Sequence, residues 1–178
     1  MANRAERVLE SIKNVCGNDI YDTIIAKFGK ISEKPSPIKQ ARYIKCTLDE
    51  ICESLGIDIA KEVMRPCGYC CISDKTIKTA KQLYIKSNKN ISVFLERLNK
   101  QYIGGGSLYL KDDKIFGIYE KCYCGIPKSV VGLHESYCEC SAGWFEKLFS
   151  SVFDKPVVVK RIHTVLSGND QCLFEISF

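Results

Sequence analysis

The sequence predicts an α+β fold in which N-terminal helices pack on an antiparallel sheet built as hairpin–helix–hairpin. Three observations carry this reading. Apolar residues recur at helical spacing as far as Tyr102, as one face of a helix requires. After Gly104-Gly105-Gly106 the pattern changes to short runs with strand alternation. One further helical stripe, within 138–153, then separates two pairs of strand-like runs.

The elements follow in order. Val8, Leu9, Ile12, Val15 and Cys16, then Ile20, Ile24 and Ile25, mark helices over 5–28, with a break at Gly17-Asn18-Asp19. Pro35-Ser36-Pro37 closes a loop and starts a helix carrying Ala41, Ile44, Leu48, Ile51, Cys52 and Leu55 on one face, ended by Gly56. A short helix over 58–64 is expected to run into Pro66. Ser73-Asp74 and Asn90 are capping residues for two more helices. The second of these should turn Phe94, Leu95, Leu98 and Tyr102 inward.

Residues 107–111 and 114–123 flank the turn Asp112-Asp113 and read as a hairpin. Cys138 to Phe153 reads as a helix with a stripe of Trp144, Phe145, Leu148, Phe149 and Val152, stopped by Lys155-Pro156. Val157 to Leu166 is rich in β-branched residues and reads as a strand. Gly168-Asn169-Asp170 turns the chain, and Cys172, Phe174, Ile176 and Phe178 alternate in a last strand. The organisation this suggests is a helical region, 1–103, and an α+β ligand-binding-like unit, 104–178, with one shared core as the alternative.

The chain has 178 residues, of which 46% are hydrophobic, so a packed core is expected. No apolar run approaches the roughly 18 residues needed to span a bilayer. Met1 to Arg7 is polar and lacks the apolar centre of a signal peptide, so a cytoplasmic protein is expected. The formal charge of +5 is mild and its lysines are dispersed. The loose cluster from Lys75 to Lys89 reads as a solvated helix face rather than a nucleic-acid surface. Gly104 to Gly106 lacks the spacing and the Lys-Ser/Thr of a phosphate loop and reads as a linker. Asn90-Ile91-Ser92 matches a glycosylation sequon, which means little without secretion.

Cysteine is the outlier, with 11 residues. In a reducing compartment such thiols stay free, bind metal or do redox chemistry. Seven fall into three groups: Cys67, Cys70 and Cys71; Cys122 and Cys124; Cys138 and Cys140. Residues i and i+2 at a strand end point to one side, so Cys122 and Cys124 should present two sulfurs together. Cys138 and Cys140 should lie at a helix entrance, where the dipole favours thiolate. Folded back through Gly125 and Pro127, the four would suit tetrahedral zinc, with Zn–S of about 2.3 Å. Cys67, Cys70 and Cys71, on one face of a helical turn, are a further ligand source. Buried or reactive thiols, disulfides and an iron–sulfur cluster stand as alternatives. Cys16, Cys46 and Cys52 lie on apolar helix faces and read as packing residues.

The two histidines are weaker candidates. His134, with Glu135 beside it, is a ligand or base if not a surface loop residue. His163 reads as a half-buried strand residue. Catalytic and cofactor-binding residues are otherwise unassigned.

The stretch from Gly143 to Phe178 resembles the 4-vinyl reductase type small-molecule-binding domain. The matching residues are Ala142-Gly143-Trp144, then Lys155-Pro156-Val157-Val158-Val159, then Gly168-Asn169-Asp170-Gln171-Cys172-Leu173-Phe174. In the last motif the Asp stands one place later than in the family. The cysteine-rich loop also resembles bacterial proteins near the aminothiazoline-carboxylate hydrolases. The first resemblance implies an α+β sensor fold, often a homodimer, holding a small, apolar or aromatic molecule between helix and sheet. Several members carry a structural zinc. Cys172 matches one of its ligands, whereas Arg161 and Thr164 stand at the strand positions and cannot serve, so any metal here needs other cysteines.

Three functions follow as expectations. The first is a zinc-binding, cysteine-rich module that holds a small apolar molecule, without nucleic-acid or membrane partners. The second is a small-molecule hydrolase or thiol enzyme using Cys138 or Cys140 with His134 or Glu135 as base. The third is a redox switch, which the strain of bridging adjacent Cys70 and Cys71 disfavours.

Overall fold

A computed structural model describes residues 3–178. Met1 and Ala2, the first residues of the polar start, lie outside the described residues. The architecture is α+β, with most helices N-terminal and one four-stranded antiparallel sheet. The chain divides into two compact units, one reaching to Cys67 and including Cys122–Cys140, the other Gly68–Lys121 with Ser141–Phe178. The glycine run 104–106, where helix gives way to strand, lies inside the second unit.

The first unit is built on α1 (Arg4–Cys16), α2 (Asn18–Phe28), α3 (Pro37–Leu55) and α4 (Ile57–Tyr69) up to Cys67. Asn3 caps α1 in a capping box with Glu6, and Ser36 caps α3 with Pro37 in the first turn, local chemistry that satisfies orphan N–H groups. Gly17 ends α1 where the sequence breaks. Val8, Leu9, Ile12, Ile24, Ala41, Ile44, Leu48, Ile51, Val63 and Met64 are buried. The Ser11 hydroxyl donates to the Val63 carbonyl at 2.6 Å.

α4 corrects one expectation. It runs through Pro66 instead of stopping before it. Proline removes one helical hydrogen bond and crowds the preceding turn. Val63, Met64 and Cys67 are all buried, and that burial on both sides of the proline outweighs the lost bond.

In the second unit, α5 (Asp74–Lys86) and α6 (Ile91–Lys100) start at the caps Ser73 and Asn90. The strands are β1 (Leu108–Lys111), β2 (Lys114–Tyr119), β3 (Val158–His163) and β4 (Cys172–Ser177), in the order β1-β2-β4-β3. The β1–β2 turn is tight: Asp112 and Asp113 take φ of 49° and 56°, the left-handed pair that a two-residue hairpin needs. Between α7 (Gly125–Ser129), which belongs to the first unit, and β3 comes α8 (Glu139–Phe153). Phe145 of α8 lies 5.3 Å, ring to ring, from Tyr119 and from Phe174 on the sheet. Phe94, Phe149 and Phe153 extend this aromatic core. Gly117 is required beneath it, because a Cβ there would meet Phe145 Cζ at 2.8 Å.

Three further differences have local causes. Tyr102 is 82% exposed, not inward, because α6 stops at Lys100 and Tyr102 takes a positive φ of 54°. β3 ends at His163 instead of continuing to Leu166. Thr164 and Ser167 form a capping box that winds Val165–Ser167 into a 3-10 turn. β2 ends at Tyr119, so Cys122 and Cys124 stand on a loop and not on a strand.

Candidate functional site: a thiol cluster around Tyr137

In the first unit the loop bearing Cys122 and Cys124 meets the turn that leads to Cys138 and Cys140 at one buried phenol. Cys124 is the residue before α7. Its sulfur lies 3.0 Å from the Tyr137 hydroxyl, and Arg4 at the start of α1 donates to that sulfur at 2.9 Å. Tyr137 is 4% exposed and sits in a 3-10 turn, Glu135–Cys138, that leads directly into α8. A buried tyrosine hydroxyl ordinarily finds a polar partner; here the partner is sulfur. Burial pushes the Tyr137 phenol well above its ordinary pKa, and Cys140 and then Cys124 add to the rise, while Arg4 opposes it.

The rest of the set is placed as follows. Cys122 lies on the same loop, its sulfur 3.9 Å from the Cys124 carbonyl. Cys138 ends the 3-10 turn and is buried, and Cys140 is half-buried in the first turn of α8. Cys67 is buried, its sulfur 3.6 Å from the Val63 carbonyl and 3.8 Å from that of Arg7. Cys70 and Cys71 are exposed residues past the end of α4 and belong to the second unit. The expected single face of Cys67, Cys70 and Cys71 is thus divided: one thiol is inside the helix packing and two are outside the helix. Among the described residues, no group of three or more His, Cys, Asp or Glu side chains is already arranged to hold a metal ion.

The neighbouring polar groups are tied into the same turn. The His134 side chain caps the 3-10 turn: its Nδ1 accepts from the Ser136 backbone N–H at 3.2 Å and lies 2.9 Å from the Ser136 hydroxyl. Ser136 also reaches Cys52, whose thiol burial pushes up while that contact pulls it down. Arg65 pairs with Glu139 at 2.8 Å, and Glu139 is only 4% exposed. Cys16 is half-buried, and burial, with Glu62 nearby, raises its thiol. Cys46 is exposed, a correction to its packing role that follows from its place on the outer side of α3.

In the second unit, Cys172 is buried and accepts from the Val165 N–H at 3.4 Å. Burial raises its thiol, against the pull of that N–H and of Arg161. Thr164 is fully buried and serves the capping box described above. His163 is partly exposed at the end of β3, where the ladder shifts register between Arg161 and His163. Ser92, Leu95, Glu96, Leu108, Tyr109 and Leu110 line a recess of about 170 Å³.

Sequence reasoning missed Arg4 and Tyr137. Tyr137 carried a usable sign, since it immediately precedes Cys138 in the Ser-Tyr-Cys-Glu-Cys run. Arg4 carried none, because its contact joins residues 120 apart in the chain.

The class of protein is thus an α+β chain whose first unit carries both C-x-C pairs. The chain belongs to a family of unknown function (DUF6144), whose model matches residues 3–178. A comparison with curated proteins gave no match. Among solved structures, one similar chain is described as "Modulating Heme Redox Potential Through Protein-Induced Porphyrin Distortion". It is 15% identical, with 97% of this chain and 96% of that chain covered, at a TM-score of 0.42. A likeness that low carries no argument about the fold or ligand of this chain. Among the described residues, no helix is long and apolar enough to cross a membrane.

Proposed function

We propose that the first unit is a zinc-binding module in which Cys122, Cys124, Cys138 and Cys140 take up the ion. The observation that carries this reading is the 3.0 Å contact between Cys124 and Tyr137. It ties the loop bearing one C-x-C pair to the turn bearing the other. An all-sulfur donor set suits a closed, structural zinc site more than a catalytic one, which keeps a position open. The set is not assembled among the described residues, so uptake of the ion would itself draw the thiols together, as in sites whose binding energy contributes to folding. Bound there, zinc would cross-link the loop to the entrance of α8. Cys67, in the same unit, is a reserve donor.

The companion proposal concerns the second unit, where the resemblance of its last third to the 4-vinyl reductase domain suggests a small apolar ligand. The recess beside Leu95, Leu108 and Leu110, about 170 Å³, lies outside the matched stretch and is below the cavities of about 300–1,000 Å³ that hold drug-sized molecules.

Elemental mass spectrometry on protein purified under reducing conditions tests the metal reading. About one zinc per chain is expected, lost in Cys124→Ser and Cys138→Ser and kept in Cys46→Ser. Metal-free wild-type protein that also fails to take up added zinc would end the proposal.

A further inference from the structure

We infer that Arg4 and Tyr137 are positioning residues of the thiol site, holding the Cys124 sulfur from two sides and offsetting the charge it carries as a ligand. This rests on the metal-binding reading above. Four thiolates around a divalent cation leave a net negative charge, which is costly to keep half-buried unless a cation or hydrogen-bond donors face it. The Cys124 sulfur has both at hand, the guanidinium at 2.9 Å and the phenol at 3.0 Å.

Both groups are held in place by their own elements. Arg4 opens α1, whose start is fixed by the Asn3–Glu6 capping box, and its own backbone N–H donates to Gln40 Oε1 at 3.2 Å. The guanidinium therefore leaves a pinned turn. Tyr137 is buried in the turn capped by His134, so its hydroxyl has little freedom to leave the sulfur. Ligand sulfurs in metal sites are tuned by such outer partners, whose removal costs about 10–100-fold in metal affinity. A guanidinium also has a fixed fork of donors, whereas an ammonium is a point charge. Lysine at position 4 should therefore restore the charge effect but only part of the directed hydrogen bond.

The test uses the full, reduced chain with two probes, Zn²⁺ against a chromophoric chelator and Co²⁺ for its thiolate charge-transfer band. Wild type is compared with Arg4→Gln, Arg4→Lys and Tyr137→Phe. Arg4→Gln should lower zinc affinity by about 10-fold or more, with Arg4→Lys recovering most of the loss. Tyr137→Phe should move the cobalt–thiolate band and speed removal of the metal by chelator, at unchanged far-UV circular dichroism. Should Tyr137→Phe not fold, the exposed Arg4 pair decides the outcome. If wild type binds metal and the variants match it in affinity and band position, the positioning role is overturned while the zinc reading stands. If wild type binds neither ion, the zinc reading falls first and this inference with it.

Discussion

The two units bury different chemistry. In the second, Phe94, Phe145, Phe149 and Phe174 are fully buried; the helix rings meet edge-on or stacked, and Phe145 meets Phe174 of the sheet at a tilt. In the first, the buried set is aliphatic, and Tyr137 is the one aromatic side chain in it among the described residues. Large rings bring more buried area per residue and an added ring–ring term. The first unit instead leans on specific polar ties: a sulfur on a phenol, a guanidinium on a sulfur, and a carboxylate on an arginine. The contrast teaches that the second unit adds ring–ring contacts to its buried area, whereas the first adds particular polar ties to an aliphatic core. Substitution should therefore separate them.

The largest effect is expected from Phe149→Ala, which leaves a cavity in the ring cluster at a cost of about 3–5 kcal/mol. Chemical denaturation followed through Trp144 fluorescence, the only tryptophan, measures it. A loss under 1 kcal/mol would mean that the rings are not what holds the second unit. Next comes Arg65→Ala, which takes a cation from the buried Glu139 carboxylate. Removing one partner of a buried pair costs about 3–5 kcal/mol, reduced here to about 2–3 because the Arg65 side chain is 30% exposed. Hydrogen exchange should show the loosening in α4 and the start of α8. Protection unchanged there would weigh against the polar-tie account.

A smaller loss, about 1–3 kcal/mol, is expected for Gly105→Ala, an overpacking change in the second unit. The new Cβ would stand 2.5 Å from the Tyr119 ring at a φ of +87°, and the thermal midpoint reports it. The smallest change involves no mutation. Thiol-reactive labelling of native protein, mapped by peptide mass, should reach exposed Cys46 well before Cys172, which is buried and raised in pKa. Equal labelling rates would show that the second unit opens as readily as the surface reacts.

Much of this was legible in the chain. Ser73 and Asn90 announced their helices by capping chemistry, Pro35-Ser36-Pro37 announced another helix start, and Asp112-Asp113 announced the hairpin. Alternation placed Cys172, Phe174 and Ile176 on the buried face of β4. These are local signals, each contained in a few neighbouring residues. The misreadings arose where tertiary burial or short-range polar bonding overrides local propensity: Pro66 inside α4, the 3-10 turn that cuts β3 short, and the loop that carries Cys122 and Cys124. The cysteine groups could be read from spacing, but the contacts that organise them could not. Spacing says which sulfurs are near in sequence, whereas Arg4 and Tyr137 meet Cys124 through the packing of separate helices and loops.

The outer strand β1 pairs with β2 on one side and is met on the other by the side chain of Asn99. Asn99 donates to the Leu108 carbonyl and accepts from the Leu108 N–H, both at 2.8 Å, imitating the backbone of a neighbouring strand. Open sheet edges invite unwanted pairing with other chains. With the outward backbone pair of Leu108 already taken, and Lys111 ending so short a strand, a foreign chain finds little ladder to extend. One amide thus removes one of the few rungs that this short margin of the sheet could offer to another chain.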